Sequence, residues 1–388
     1  MRPITSGVGS APHRLAKILA KPLSSLLGTI SSAHLKNSGD LLSRIKDLCI
    51  ADKKLVSFDV KALFTNVPVD GALAAVERVL SNASDDDLPI PKRDFLTLVR
   101  LCVNFNSFIF DDKEFRQVSG LAMGSPLSAV LACLYMETME EDHYKSILGE
   151  HNLWVRYVDD VLSCVPIDTN LTDLLRELNL VDPAIQFTVE EEENGRLPFL
   201  DTLLLRTGDS LKFTVYRKPT NRNDLIHYFS GHSQKVKSGV VIGFFLRALR
   251  ICSQDLLQEE IDYITNTFLQ LRYPLAKLIS LRDKAKRIWS QSNTRVADVS
   301  ERHAQNTLSV IAPYSPLTEQ VQKLVGPALS IVAKGGQKIG GIFKRNKRES
   351  NRDSVVRDML PTRVMVNDHE ELPPAMFCEV CRHDLERE

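Results

Sequence analysis

Apolar residues in the first fifty positions recur at helical spacing. Leu15, Ile18, Leu19, Leu23, Leu26 and Leu27 mark one stripe, and Leu41, Leu42, Ile45 and Leu48 another, so two helices are expected after an irregular opening from Arg2 to Pro12. The pattern then shortens. Residues 54–60, with Leu55-Val56-Ser57-Phe58-Asp59-Val60, read as a buried strand that closes on an acid. Phe64-Thr65-Asn66-Val67-Pro68 reads as a turn, and Asp70 as the cap of a helix carrying Leu73, Val76 and Leu80. A solvated loop follows over 81–92 with Asp85-Asp86-Asp87, then a helix over 95–102 and a hairpin around Asp111-Asp112-Lys113. Ser125 is placed as an N-cap with Pro126 in the first turn of a helix through Leu127, Val130, Leu131 and Leu134. Glu137, Glu140, Glu141 and Asp142 are expected at that helix's exposed end.

Trp154-Val155-Arg156-Tyr157-Val158-Asp159-Asp160-Val161-Leu162-Ser163 sets two acids between β-prone flanks and predicts a strand-turn-strand with carboxylates at its tip. Taken alone, Asp-Asp is simply a common turn. A helix is expected over 171–180, a strand over 184–189, and a solvated turn at the four acids 190–193. Residues 197–205 and 211–216 read as a further hairpin about Thr207-Gly208-Asp209-Ser210. After 221 the period is helical again, through Val240, Val241, Phe244, Phe245 and Leu249, then Leu256, Ile261, Ile264, Phe268 and Leu271. Arg247, Arg250, Arg272, Lys277, Arg282, Lys284, Lys286 and Arg287 make these helices locally basic, either as a solvated face or as a track for phosphates.

Composition narrows the class rather than the function. The 388 residues suffice for two or three domains, with apolar (43%) and charged (25%) fractions ordinary for a globular chain. Formal net charge is zero, so any nucleic-acid groove must come from local arrangement. Seven cysteines, mostly in apolar stretches, fit buried thiols in a reducing compartment better than a disulfide framework. Neither a signal peptide nor an apolar run of membrane-spanning length is visible. From residue 290 the periodicity fades. Seven basic residues over 334–352 face only Glu349, which predicts a flexible basic tail, and Cys378-x2-Cys381 with His383 is half of a zinc pattern without its other half.

The chemistry-bearing constellation joins three carboxylates. Asp59 closes one strand, and Asp159 and Asp160 tip a hairpin about a hundred residues later. If hairpin tip and strand end are neighbours, they present the hard oxygen donors that Mg²⁺ takes together with substrate phosphates. Two ions held in this way would activate a 3′-hydroxyl and stabilise a leaving pyrophosphate.

Tyr157-Val158-Asp159-Asp160 resembles the metal-binding motif of reverse transcriptases, Phe58-Asp59-Val60 with Phe64 resembles their other metal motif, and Gly124-Ser125-Pro126-Leu127-Ser128 resembles the motif around the incoming nucleotide. The longer strings Phe58–Pro68 and Ala122–Ser128, with Leu197-Pro198-Phe199-Leu200-Asp201 and Val215-Tyr216-Arg217-Lys218-Pro219-Thr220, are similar to the Penelope-like retroelement group, a relative of telomerase reverse transcriptases. The resemblance implies an α+β right-hand polymerase: partial fingers over 1–50, a palm with an antiparallel sheet over 51–220, a helical thumb-like domain over 221–290, and a poorly ordered basic connector and tail over 291–388.

The same resemblance implies roles. Asp59, Asp159 and the backbone of Val60 would bind two Mg²⁺ ions, for which Mn²⁺ can substitute, with Asp160 as a supporting acid. Phe64 would exclude a ribose 2′-hydroxyl, Gly124 and Ser125 would lie near incoming nucleotide or template, and Arg2, in an Arg-Pro-Ile motif, would lie near the triphosphate. Residues 197–216 would grip the primer end. The partners implied are an RNA template, a DNA primer and dNTPs, in nucleus or cytoplasm, with no membrane. Family members continue upstream of the Arg-Pro-Ile segment and many carry a C-terminal endonuclease, so a fragment, a truncated element copy or an incomplete gene model is expected. Two other readings remain: a module that binds RNA or an RNA–DNA hybrid without polymerising, and a different palm-type nucleotidyltransferase.

Overall fold

The computed structural model describes residues 11–84, 88–110, 113–149, 152–294, 308–313 and 329–334. Arg2, the basic run beyond Lys334 and Cys378–His383 lie outside them. Contacts divide the described residues into two units, one reaching to Asn221 and including Arg250–Glu260, the other holding Arg222–Leu249 and the described residues from Ile261.

The first unit begins with α1 (Ala11–Ser25) and α2 (Ser38–Ile45), then β1 (Lys53–Val60), a one-turn α3 (Leu63–Asn66), α4 (Val69–Asn82) and α5 (Lys92–Asn104). A hairpin of β2 (Ser107–Phe110) and β3 (Lys113–Arg116) leads to α6 (Ser128–Met139), which continues through a π-helical turn (Glu140–Tyr144) into α7 (Lys145–Leu148). Then follow β4 (Leu153–Tyr157), β5 (Asp160–Pro166), α8 (Leu171–Val181), β6 (Phe187–Glu191), β7 (Arg196–Phe199), β8 (Thr202–Thr207) and β9 (Ser210–Val215). Asparagines start two of the helices. Asn37 accepts the N–H groups of Gly39 and Asp40 at α2, and Asn170 those of Thr172 and Asp173 at α8, satisfying donors the first turn leaves open.

One antiparallel sheet, in the order β4-β5-β1-β6, divides the unit's core. Side chains alternate along β1. Val56, Phe58 and Val60 face a cluster with Leu19 and Leu23 of α1, Val76 of α4, Phe95 of α5, Leu134 of α6 and Leu178 of α8. Phe58, Tyr144, Trp154 and Phe187 meet there with ring centroids 5.4 to 6.3 Å apart. Burying each such ring contributes about 1.5–3 kcal/mol. On the opposite face, Leu55, Val155, Leu162 and Cys164 pack with Leu41 and Ile45 of α2 and with Leu197, Leu204 and Phe213 of the second sheet, β7-β8-β9.

Several sequence expectations shift here. The turn read over 64–68 begins as one helical turn, Leu63–Asn66, and Asp70 stands inside the first turn of α4, whose cap position is Pro68. The stretch 197–205 is two strands, because Leu200 takes φ 54° and folds β7 back on β8. Glu192 is not a solvated turn residue: it pairs with Arg206, whose guanidinium also donates to Ile50 O at 2.9 Å and Lys53 O at 2.8 Å. Glu137 and Glu140 are fully buried, not exposed.

The second unit contains most of α9 (Gln234–Ile251) and α10 (Leu257–Gln270), and α11 (Leu275–Thr294). Its interior gathers Val241, Phe245, Ile264, Phe268, Tyr273 and Leu278, and the Tyr273 hydroxyl donates to Ile226 O at 2.9 Å. Beyond 290, where periodicity had faded, β10 (Leu308–Pro313) and β11 (Leu329–Lys334) form a parallel pair. Among the described residues no helix is long and apolar enough to cross a membrane.

Candidate active site

The register of the first sheet gathers the acids. Asp59 on β1 lies directly opposite Asp160 on β5, Tyr157 of β4 lies opposite Asp160, and Thr188 of β6 opposite Asp59. Tyr157, Asp160, Asp59 and Thr188 therefore form one row across all four strands on one face, since directly paired residues point the same way with Cβ atoms about 4.5–5.5 Å apart. Asp59 and Tyr157 are exposed; Asp160 and Thr188 are half-buried. The inner pairs on this face, Val155 with Leu162 and Leu55 with Cys164, are apolar and buried. The acids thus stand at the rim, where the sheet leaves its core.

Asp159 arrives by the two-residue turn between β4 and β5. Val158 takes φ 58°, a left-handed conformation rare for a β-branched residue. The Val60 N–H donates to Asp159 O at 3.0 Å, tying the turn to the end of β1. All three predicted acids are thus at one corner of the sheet.

A second pair of motifs meets beside it. The Leu121 N–H donates to Phe64 O at 2.6 Å. Gly120 has φ +69°, and a Cβ there would come within 2.3 Å of Thr65 O, so backbone lies on backbone. Phe64 is half-buried against the main core, and Gly124 and Ser125 are half-buried in the loop held over it. Ser125 is not the N-cap of α6, whose cap position is Leu127. Its N–H closes a turn onto Ala122 O at 3.0 Å, and Ser128 Oγ reaches the same carbonyl at 2.6 Å. A cleft of about 650 Å³ opens beside the loop, walled by Asp70, Asn104, Asn106, Arg116, Gln117 and Gly120, and is separate from the three acids.

Two buried residues under the turn escaped the sequence reading. Arg156 is fully buried and ion-pairs with Glu140, equally buried, at the start of the π-helical turn. Its Nη1 donates to Val158 O at 3.1 Å and its Nη2 to Cys133 O at 3.3 Å. Trp154 Nε1 donates to the same Glu140 carboxylate at 3.3 Å. Nearby Glu137 accepts the Gly28 N–H at 2.8 Å, and burial pushes its carboxyl above the usual range. The signal for Arg156 in the sequence is a charged residue at an inward strand position, which requires a buried partner.

The donor chemistry suits a hard divalent cation. Among the described residues no group of three or more His, Cys, Asp and Glu side chains already converges as a metal cage. Asp59, Asp159 and Asp160 instead offer carboxylate oxygens at an accessible corner, which fits Mg²⁺, an ion that takes one or two protein carboxylates and completes its shell with water and substrate phosphates.

Residues 12–182 match the family model for reverse transcriptase (RNA-dependent DNA polymerase). Residues 224–282 match the animal helix-turn-helix domain. Telomerase reverse transcriptase of Takifugu rubripes is 26% identical over 125 residues, which cover 31% of this chain and 11% of that protein. The telomerase of Candida albicans, solved in a complex with a fragment of telomeric RNA, aligns with a TM-score of 0.51 at 14% identity, over 74% of this chain and 50% of that one. That likeness establishes the α+β right-hand fold; the chain spans about half of the solved telomerase and a ninth of the curated one.

Proposed function

We propose that this chain is an RNA-directed DNA polymerase of a Penelope-like retroelement, which extends a DNA primer on an RNA template with dNTPs. The observation that carries the reading is the facing pair Asp59–Asp160, with Asp159 in the adjoining turn, inside a domain that matches the reverse transcriptase family. Asp59 and Asp159, with the Val60 carbonyl, would hold two Mg²⁺ ions, and Asp160 would support them. Such ions would supply Lewis-acid activation of the primer 3′-hydroxyl and charge neutralisation at the leaving pyrophosphate. The chain's own task is positioning, since a misplacement of about 1 Å can cost about a hundredfold in rate.

Phe64 would lie under the sugar and leave no room for a 2′-hydroxyl. The loop at Gly124–Ser125, fixed to Phe64 through Leu121, would bring backbone close to the nucleotide or template. Arg2 would contact the triphosphate. The basic residues of α9 to α11 would follow phosphates of the hybrid, an interaction that weakens with salt. Retroelement copying places this chemistry in the nucleus or cytoplasm.

Primer extension on an RNA template tests the reading. Incorporation of dNTPs is expected with Mg²⁺ or Mn²⁺, and Asp59→Ala or Asp159→Ala should abolish it while hybrid binding is largely kept. Hybrid binding without incorporation under either metal would make the chain a binding module and refute the polymerase.

A further inference from the structure

We infer that Arg156 and Glu140 form a positioning clamp that fixes the Val158–Asp159 turn, and through it the Asp159 carboxylate. The inference rests on the polymerase reading for its consequence in catalysis, but its structural part stands without it.

Three observations carry it. Val158 holds φ 58°, where a β-branched side chain crowds its own backbone, so this conformation persists only if the surroundings impose it. The side chain that touches that residue's carbonyl is Arg156, through Nη1 at 3.1 Å. Arg156 is in turn immobilised on every side. Its Nε and Nη2 reach the Glu140 carboxylate, Nη2 also reaches Cys133 O at 3.3 Å, and its backbone N–H and carbonyl bond to Ala33 and Leu35, each at 2.7 Å. Glu140 is fixed as well, since Trp154 Nε1 donates to it and it stands where α6 passes into the π-helical turn. π-helical turns are rare and occur often at functional sites. The clamp therefore links the catalytic corner to α6, the helix behind the Gly124–Ser125 loop.

A lysine at 156 would keep the charge yet lose the fork, because one ammonium cannot serve Glu140, Val158 O and Cys133 O in that geometry. The test uses the full chain with Arg156→Lys and Glu140→Gln. Glu192→Gln is the control, since it weakens another pair, half-buried, with Arg206, beside Leu55 of β1 and away from the turn. Two quantities are read: the dNTP incorporation rate beside primer–template affinity, and exchange of the Val60 amide, whose hydrogen bond to Asp159 O reports the seat of the turn.

For Arg156→Lys the rate should fall about 10–100-fold with affinity changed by less than about threefold, as expected for a misplaced reacting group. Val60 exchange should quicken at least about tenfold while amides in α4 and in β8–β9 keep their protection. Glu140→Gln should move both readouts in the same direction by less, and it decides the matter should the lysine variant not fold. Wild-type rate and Val60 protection in the folded variants would overturn the clamp, and so would an equal effect from Glu192→Gln. A wild-type chain that incorporates nothing would refute the polymerase, and the exchange readout would still decide the clamp.

Discussion

Gly120→Ala probes the join between the Phe64 turn and the Gly124–Ser125 loop. The added methyl carbon would start 2.3 Å from Thr65 O, 2.6 Å from Thr65 C and 2.7 Å from its Cα. These are backbone atoms with no flexible end to swing away. Relief to a tolerable 3.0 Å needs a shift of about 0.7 Å, the difference between the two distances, and forced repacking of that kind costs about 1–3 kcal/mol. Alanine at φ +69° adds about 1–2 kcal/mol for the left-handed backbone. The adjoining Leu121 N–H to Phe64 O bond, at 2.6 Å, would be stretched, at a cost of about 1 kcal/mol. Together these give about 3–6 kcal/mol, a large share of a domain's net stability. Urea denaturation followed by intrinsic fluorescence measures the loss, and a companion assay of dNTP against rNTP incorporation reports whether Phe64 has moved. A variant destabilised by less than about 1 kcal/mol would refute the close approach on which the loop's placement rests.

Phe64→Ala should lower the preference for dNTPs over rNTPs by about tenfold or more if the ring excludes the 2′-hydroxyl as proposed; an unchanged ratio would mean that another residue reads the sugar. Glu137→Gln tests a buried carboxyl whose folded pKa is raised by burial, and which faces the Gly28 N–H, Arg156 and Glu140. The stability due to such a group is fully present below the unfolded carboxyl pKa, about 4.3, and is lost as pH rises through the higher folded value. The glutamine variant should therefore gain on wild type as pH rises from about 4 to 8, measured as denaturation midpoints across that range. Parallel curves for the two proteins would contradict it.

Much of the site could be read from the sequence because its signals are local. The acid closing a β-prone run at Asp59 and the Asp159-Asp160 tip between apolar flanks predict a strand and a hairpin, and β1, β4 and β5 occur there. Their convergence depended on antiparallel pairing across a hundred residues, which motif order suggested but periodicity could not supply. Glu140 and Arg156 show the limit. Four acids at a helix end look like a solvated face, and only the distant Arg156, sixteen residues on and across the fold, makes an inward Glu140 tolerable. Glu192 was hidden for the same reason, because Arg206 reaches it from another sheet. The split at Leu200 was missed because leucine at φ 54° gives no turn signal of the kind glycine or asparagine gives.

The row Tyr157–Asp160–Asp59–Thr188 limits which changes of length the sheet can tolerate. On a strand, inserting or deleting one residue exchanges the two faces. A one-residue insertion between Leu55 and Asp59 would send Asp59 into the packing against α4 and α6 and push Phe58 out to the rim. The same count of residues therefore sets both the acid row and the apolar interior, and a one-residue insertion or deletion within β1 or β5 loses both together. This sequence has aspartate at 59, 159 and 160, and the register of β1 and β5 sets Asp59 opposite Asp160.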